Sequence, residues 1–246
     1  MKFEMWSIIH FLYILSPFIM FAVLMFSLKK VSEKTKYIVG IIIGAISILI
    51  IIVRNIDIFI RSGWGVEVIP LQVCHIGSIV VGLALILKKK WLLLVSFCFN
   101  MIPAILAMVF ADSLANYDTL LKIRPQTYIW GHIFIVVGAL YGMFVYNNKF
   151  EKRDLLISLI FVGICLVFAI LCNNIFRLWF GWEPNYFYLF NYKGTPLKFL
   201  YNAVPSSKYG WFEINWLYTI TLIVVFVIVY IGLYFCAKFI CNKNKK

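Results

Sequence analysis

Residues 71–76 read Leu-Gln-Val-Cys-His-Ile, and a second histidine, His132, opens another apolar segment. A cysteine attacks as its thiolate, which a nearby histidine generates by taking the proton or by stabilising the negative sulfur. Adjacent residues of a helix point about 100° apart, so His75 is poorly turned toward Cys74. His132 lies on a different segment and reaches Cys74 if the two segments touch. The chemistry this suggests is attack of Cys74 on an ester carbonyl, with His132 as general base and then acid. His75, Gln72 or Asn185 would position groups or stabilise an oxyanion. Two readings compete with it. A buried cysteine is often only a packing residue. The chain's third and last histidine, His10, opens a three-histidine zinc site that activates water. No HxxxH spacing preorganises such ligands.

The elements that must position these residues are membrane spans. Of the 246 residues 63% are hydrophobic, 18% aromatic and 13% charged, against about 25% charged in a soluble domain. Seven apolar stretches recur, at about residues 7–28, 37–53, 69–87, 91–111, 128–146, 155–176 and 214–236. Each approaches the length of about 20 residues that crosses a hydrocarbon core. The expected fold is an all-α integral membrane protein, a seven-helix bundle in one domain over residues 1–246, with a long outer loop over 177–213. The first stretch is too long for a signal peptide and runs into Lys29 and Lys30, so it is expected to stay as an anchor. The six cysteines form no CxxC pair, which argues against a disulfide framework or a zinc ribbon.

The net charge of +13 suggests topology and anionic head groups, not nucleic acid, because the basic residues sit in short loops beside the spans. Lys29, Lys30, Lys34, Lys36, Lys88, Lys89, Lys90, Lys149, Lys152, Arg153, Lys238, Lys243, Lys245 and Lys246 fall on one side, while Glu4, Asp57, Glu67, Asp112, Asp118, Glu183 and Glu213 fall on the other. The basic side is therefore expected in the cytoplasm, with the N-terminus outside and the C-terminus inside. This makes a multi-pass protein of the cell membrane.

Counting 1.5 Å per residue places Cys74 roughly 7 Å, His75 roughly 9 Å and His132 roughly 6 Å below the outer surface. His10, Arg54, Asn55, Asp57, Asn173 and Asn174 fall near the same level. Polar side chains at membrane depth face a bundle interior or a wet cavity, and mark function by default. The plainer readings are a helix-end ion pair between Arg54 and Asp57, and interfacial satisfaction for His10. Asn100, three residues before Pro103, suggests a helix-gluing amide at a kink.

The runs IPLQVCHI, YIWGHIFIVVGALY, EPNYFYLF and GTPLKFLY, in that order, resemble the YwaF-type family of bacterial integral membrane proteins. That family is related to an animal multi-span acyltransferase acting on ether phospholipids. The resemblance runs from about residue 50 to the C-terminus and implies Cys74 as nucleophile, His132 as its histidine, and Asn185 and Tyr186 as the Asn-Tyr of the outer loop. The sequence departs from the family at Gln72, where a histidine is common, and at Val204 to Gly210, where a Gly-Pro-Trp-Pro-like turn is usual. The implied activity is transfer of a fatty acyl chain between phospholipids through an acyl-cysteine, at the outer leaflet. Phospholipids would be both substrate and solvent, with no cofactor, metal or nucleic acid. Two alternatives stay open: a non-enzymatic transporter component or lipid-binding subunit, and the zinc-dependent hydrolase.

Overall fold

A computed structural model describes residues 3–146, 148–193 and 197–243. Lys245 and Lys246 of the basic side, and Gly194, Thr195 and Pro196 of the loop motif, lie outside them. The helices are α1 (Ile8–Ser27), α2 (Glu33–Ser62), α3 (Val73–Leu87), α4 (Lys90–Val109), α5 (Ile123–Phe144), α6 (Lys152–Phe180), the short α7 (Lys198–Ala203) and α8 (Trp216–Lys243). Six are long and apolar enough to cross a membrane, and α3, at 15 residues, is a shorter apolar helix beside them.

Local chemistry sets where these helices begin and end. The Ser7 and Ser32 hydroxyls accept from the backbone N–H of His10 and Thr35, starting α1 and α2. Glu151 and Asp154 form a reciprocal capping box at the head of α6, and Gly181 closes that helix in the left-handed conformation. Hydropathy alone misjudges these ends. Helix α2 continues past Val53 to Ser62, carried by the Arg61–Asp57 ion pair one turn apart. Helix α5 starts at Ile123 with Pro125 in its first turn, where proline lacks no needed donor. Helix α3 begins only at Val73, after a tight turn at Pro70 in which the Leu71 N–H donates to the Ile69 carbonyl at 2.8 Å.

Small residues let three helices approach closely. A Cβ on Gly82 of α3 would lie 2.7 Å from the Gly44 carbonyl oxygen of α2, and one on Gly138 of α5 would lie 2.3 Å from Val81 Cγ1 of α3. Such contacts drive helix association in lipid, where hydrophobic burial supplies little. Helices α3, α4 and α5 form the centre. The flanking α1, α6 and α8 leave residues such as Phe26, Ile164 and Ile228 exposed, as lipid-facing surfaces require. Within α4, Ser96–Asn100 widens into a π turn just before Pro103.

The long connection between α6 and α8, featureless by hydropathy, carries a tight turn and a hairpin besides α7. Residues Tyr186–Tyr188 make a 3-10 turn with Phe187 and Tyr188 both at positive φ. Strands β1 (Ser207–Tyr209) and β2 (Phe212–Ile214) pair as an antiparallel hairpin about Gly210, whose φ of 61° suits its lack of a side chain.

Candidate active site between α3 and α5

Three close approaches fix the register of α3 against α5. A Cβ on Gly77 would lie 3.4 Å from Ile135 Cδ1, Gly138 faces Val81, and a Cβ on Gly142 would lie 3.3 Å from Leu85 Cδ2. The paired numbers rise together, so the helices run parallel. Cys74 and Gly77 share a face of α3, as His132 and Ile135 share a face of α5, because residues three apart are neighbours on a helix. One turn toward the helix starts, Cys74 is therefore level with His132.

The His132 ring is buried and held. Its Nδ1 lies 2.7 Å from the Tyr128 carbonyl oxygen. A carbonyl only accepts, so Nδ1 carries the hydrogen and Nε2 presents its lone pair. The Tyr128 ring packs on the imidazole at a centroid distance of 4.3 Å. His75 of α3 stands within electrostatic range of His132 and Arg54. Cys74, the second residue of its helix, lies within electrostatic range of the hydroxyls of Tyr13, Tyr128 and Tyr188. Gln72 caps α3 through its backbone, with no side-chain hydrogen bond to the helix.

The connection between α6 and α8 is clamped against this assembly. Asn173 Nδ2 donates to the Tyr186 carbonyl at 3.1 Å, and the Tyr186 N–H donates to Asn173 Oδ1 at 2.8 Å. Below this clamp Phe187 stacks on Phe99 of the π turn, which meets Phe226 of α8 edge-on. The site thus draws on α1, α3, α4, α5, α6, α8 and the loop.

The sequence model of the TMEM164 family matches residues 3–234, nearly the whole chain and every residue named in this site. The chain belongs to the TMEM164 family, a multi-span membrane family. No curated protein and no solved structure matched it.

Other polar residues of this TMEM164-family protein have partners of their own. His10 accepts the Trp6 N–H at Nδ1 (2.9 Å) and donates from Nε2 to the Met108 carbonyl (2.8 Å), tying α1 to the end of α4. Both ring nitrogens are thereby committed. Among the described residues, no three His, Cys, Asp or Glu side chains form a group that could hold a metal ion. The three-histidine zinc reading has no ligand set here. Arg54 donates to Asn55 Oδ1 and to the Glu67 carbonyl, both at 2.8 Å, while Asp57 pairs with Arg61 at 2.7 Å and not with Arg54. Glu67 also pairs with Arg124, which fastens the segment before α3 to the head of α5.

The loop residues are similarly engaged. Asn185 Nδ2 donates to the Asn191 and Lys193 carbonyls and to Asn191 Oδ1, while its own Oδ1 accepts the Phe190 and Asn191 N–H groups. Its amide is occupied in folding the loop. Tyr186 donates to the Val66 carbonyl at 3.0 Å, and burial pushes its hydroxyl up to about 12, so it stays a neutral donor. Asn174 accepts the Glu213 N–H at 2.7 Å, and Glu213 pairs with Arg177, joining α6 to the hairpin. Tyr13 and Tyr188 join the site without being expected there, whereas Asn173 belongs to the polar layer counted from the sequence. For Tyr13 a signal existed, since it lies one turn from His10 on the same face of α1.

Proposed function

We propose that this TMEM164-family protein is a membrane-embedded acyltransferase that moves a fatty acyl chain between phospholipids through a thioester on Cys74. The observation that carries this is the α3–α5 register, which brings a cysteine level with a histidine whose tautomer leaves Nε2 free to take a proton. The resemblance of IPLQVCHI and EPNYFYLF to the YwaF-type proteins, and through them to an ether-phospholipid acyltransferase, supports the same reading.

In the first half-reaction Cys74 gives its proton to His132 Nε2 as sulfur adds to the ester carbonyl carbon of a donor phospholipid. The tetrahedral adduct collapses, the ester C–O bond breaks, and the departing glycerol oxygen takes the proton back from His132. An acyl-cysteine and a lysophospholipid result. In the second half-reaction the hydroxyl of an acceptor lysophospholipid gives its proton to His132 and adds to the thioester. The thiolate then leaves and is reprotonated. The Cys74 proton leaves on the donor's glycerol oxygen and the acceptor's hydroxyl proton restores the Cys74 thiol through His132, so the cycle closes with no cofactor. His75 and Gln72 flank the reacting sulfur on α3. Asn185 and Tyr186 shape the loop over it, while His10, Arg54, Asp57 and Asn174 brace the surrounding helix ends.

Lys29, Lys30, Lys88, Lys89 and Lys90 gather at the end opposite the site. That end belongs in the cytoplasm by the positive-inside rule, which turns the N-terminus outward and the site toward the outer leaflet of the cell membrane. The test is acyl exchange in vesicles carrying the full chain, a deuterated diacyl phospholipid and an unlabelled lysophospholipid. Transfer is expected for wild type and lost in both Cys74→Ala and His132→Ala. Full transfer in Cys74→Ala with loss only in His132→Ala overturns the mechanism. Lipid retention without transfer in any form favours the lipid-binding subunit.

A further inference from the structure

Asn100 is the buried group the mechanism has not used. It is 1% exposed, and neither Nδ2 nor Oδ1 of its amide has a hydrogen-bond partner. Buried amides without partners are rare enough to require a cause. Helix gluing, the expectation from its place before Pro103, would have given the amide a partner on a neighbouring helix. It ends the π turn of α4, a distortion that recurs at functional sites.

Its surroundings point to a ligand. A Cβ on Gly77 would lie 3.3 Å from Asn100 Cβ and 3.4 Å from its Cγ, so the bare glycine admits the side chain to the seam where Ile135 also packs. Gly77 and Ile135 lie one turn from Cys74 and His132, each on the same helix face. Of the other buried polar atoms without hydrogen-bond partners among the described residues, Thr219 Oγ1, Tyr230 Oη and Tyr234 Oη lie on α8, while Tyr13 Oη and His75 Nδ1 lie on the site helices α1 and α3. Tyr13 is within electrostatic range of Cys74, and His75 of His132. Groups left bare at the Gly77 seam and near Cys74 and His132 suit a polar ligand that enters between these helices. An ester-linked lipid matches the amide, since its carbonyl oxygen accepts from Nδ2.

We propose that Asn100 binds the ester carbonyl of the donor phospholipid, holding it one turn from the cysteine. This rests on the acyl-transfer reading and deepens it. As Cys74 adds to the carbonyl carbon, negative charge grows on the oxygen, and a donor already aimed at that oxygen binds it more strongly. Asn100 itself makes and breaks no covalent bond.

The test is native mass spectrometry of the detergent-purified full chain, offered equal amounts of a diester phosphatidylcholine and its diether counterpart, which lacks the carbonyls. Wild type is expected to retain the diester about tenfold better, the effect of one buried hydrogen bond. Asn100→Leu, of similar volume, is expected to retain both equally. Equal retention by wild type, or an undiminished preference in Asn100→Leu, overturns the proposal. If Asn100→Leu fails to fold, the infrared band of a ¹³C-labelled ester in the wild-type complex decides. A shift to lower wavenumber than in detergent alone supports the hydrogen bond, and an unshifted band overturns it. An Asn100-dependent preference without any Cys74 thioester sinks acyl transfer but keeps this site. A thioester with equal retention of both lipids does the reverse.

Discussion

His132 Nδ1 donates to the carbonyl of Tyr128 in the preceding turn, at 2.7 Å, in the middle of a helix. The bond uses a ring nitrogen and no extra residue, yet it decides the tautomer of the whole imidazole. It leaves Nε2 as a base in a bundle where the other site histidine, His75, comes from the neighbouring helix.

Replacing His132 by alanine is therefore expected to lower acyl transfer by about 10²–10⁴-fold, the range of a positioned general base. The check is the initial rate of label exchange in vesicles at matched protein incorporation. A rate within twofold of wild type would remove His132 from the chemistry.

The α2–α3 contact makes a stability prediction with an internal control. In Gly82→Ala the new methyl meets Ile48 Cγ1 at 2.5 Å and the Gly44 backbone oxygen at 2.7 Å, so two helices must part. Such overpacking costs about 1–3 kcal/mol. Gly163→Ala on α6 has no heavy atom within 4 Å and should be neutral or slightly stabilising. Thermal unfolding in one detergent compares them, and equal midpoints would mean that α2 and α3 do not pack this closely.

The loop turn depends on Asn173. Both backbone groups of Tyr186 bond to that one amide. Asn173→Ala leaves them bare in a buried place and is expected to cost about 1–3 kcal/mol locally. Hydrogen exchange over residues 183–190 should accelerate while the centres of α3 and α5 stay protected. Unchanged exchange in the loop would show that the clamp is not what holds it.

Much of this architecture was legible because lipid leaves a coarse mark on sequence. All seven apolar segments correspond to helices, and six of these are long enough to cross a membrane, with the 15-residue α3 as the seventh. Helix ends were less legible, since Ser32, the Glu151–Asp154 box and the Asp57–Arg61 pair act through caps and turns that hydropathy averages away. Asp57 has bases at both i−3 and i+4, and the chosen Arg61 follows the acid, the better orientation along a helix. The common level of Cys74 and His132 could be counted from segment starts, but the contact between α3 and α5 depends on Gly77, Gly138 and Gly142. Their meaning appears only when the opposing side chains are seen. The place of Asn100 before Pro103 suggests glue where its amide is bare, because no one-dimensional pattern reveals whether a buried amide has a partner. Tyr188 comes within electrostatic range of Cys74 by way of two consecutive left-handed residues, Phe187 and Tyr188, which ordinary propensities disfavour.

The measurement that tests the central claim most directly is the intact mass of the purified full chain after incubation with mixed phospholipids, for wild type and Cys74→Ala. The account predicts a fatty acyl adduct on wild type alone, removed by hydroxylamine, with lysophospholipid released in the same tube. An unmodified wild-type mass with no lysophospholipid formed would contradict it, and would return Cys74 to the role of a packing residue.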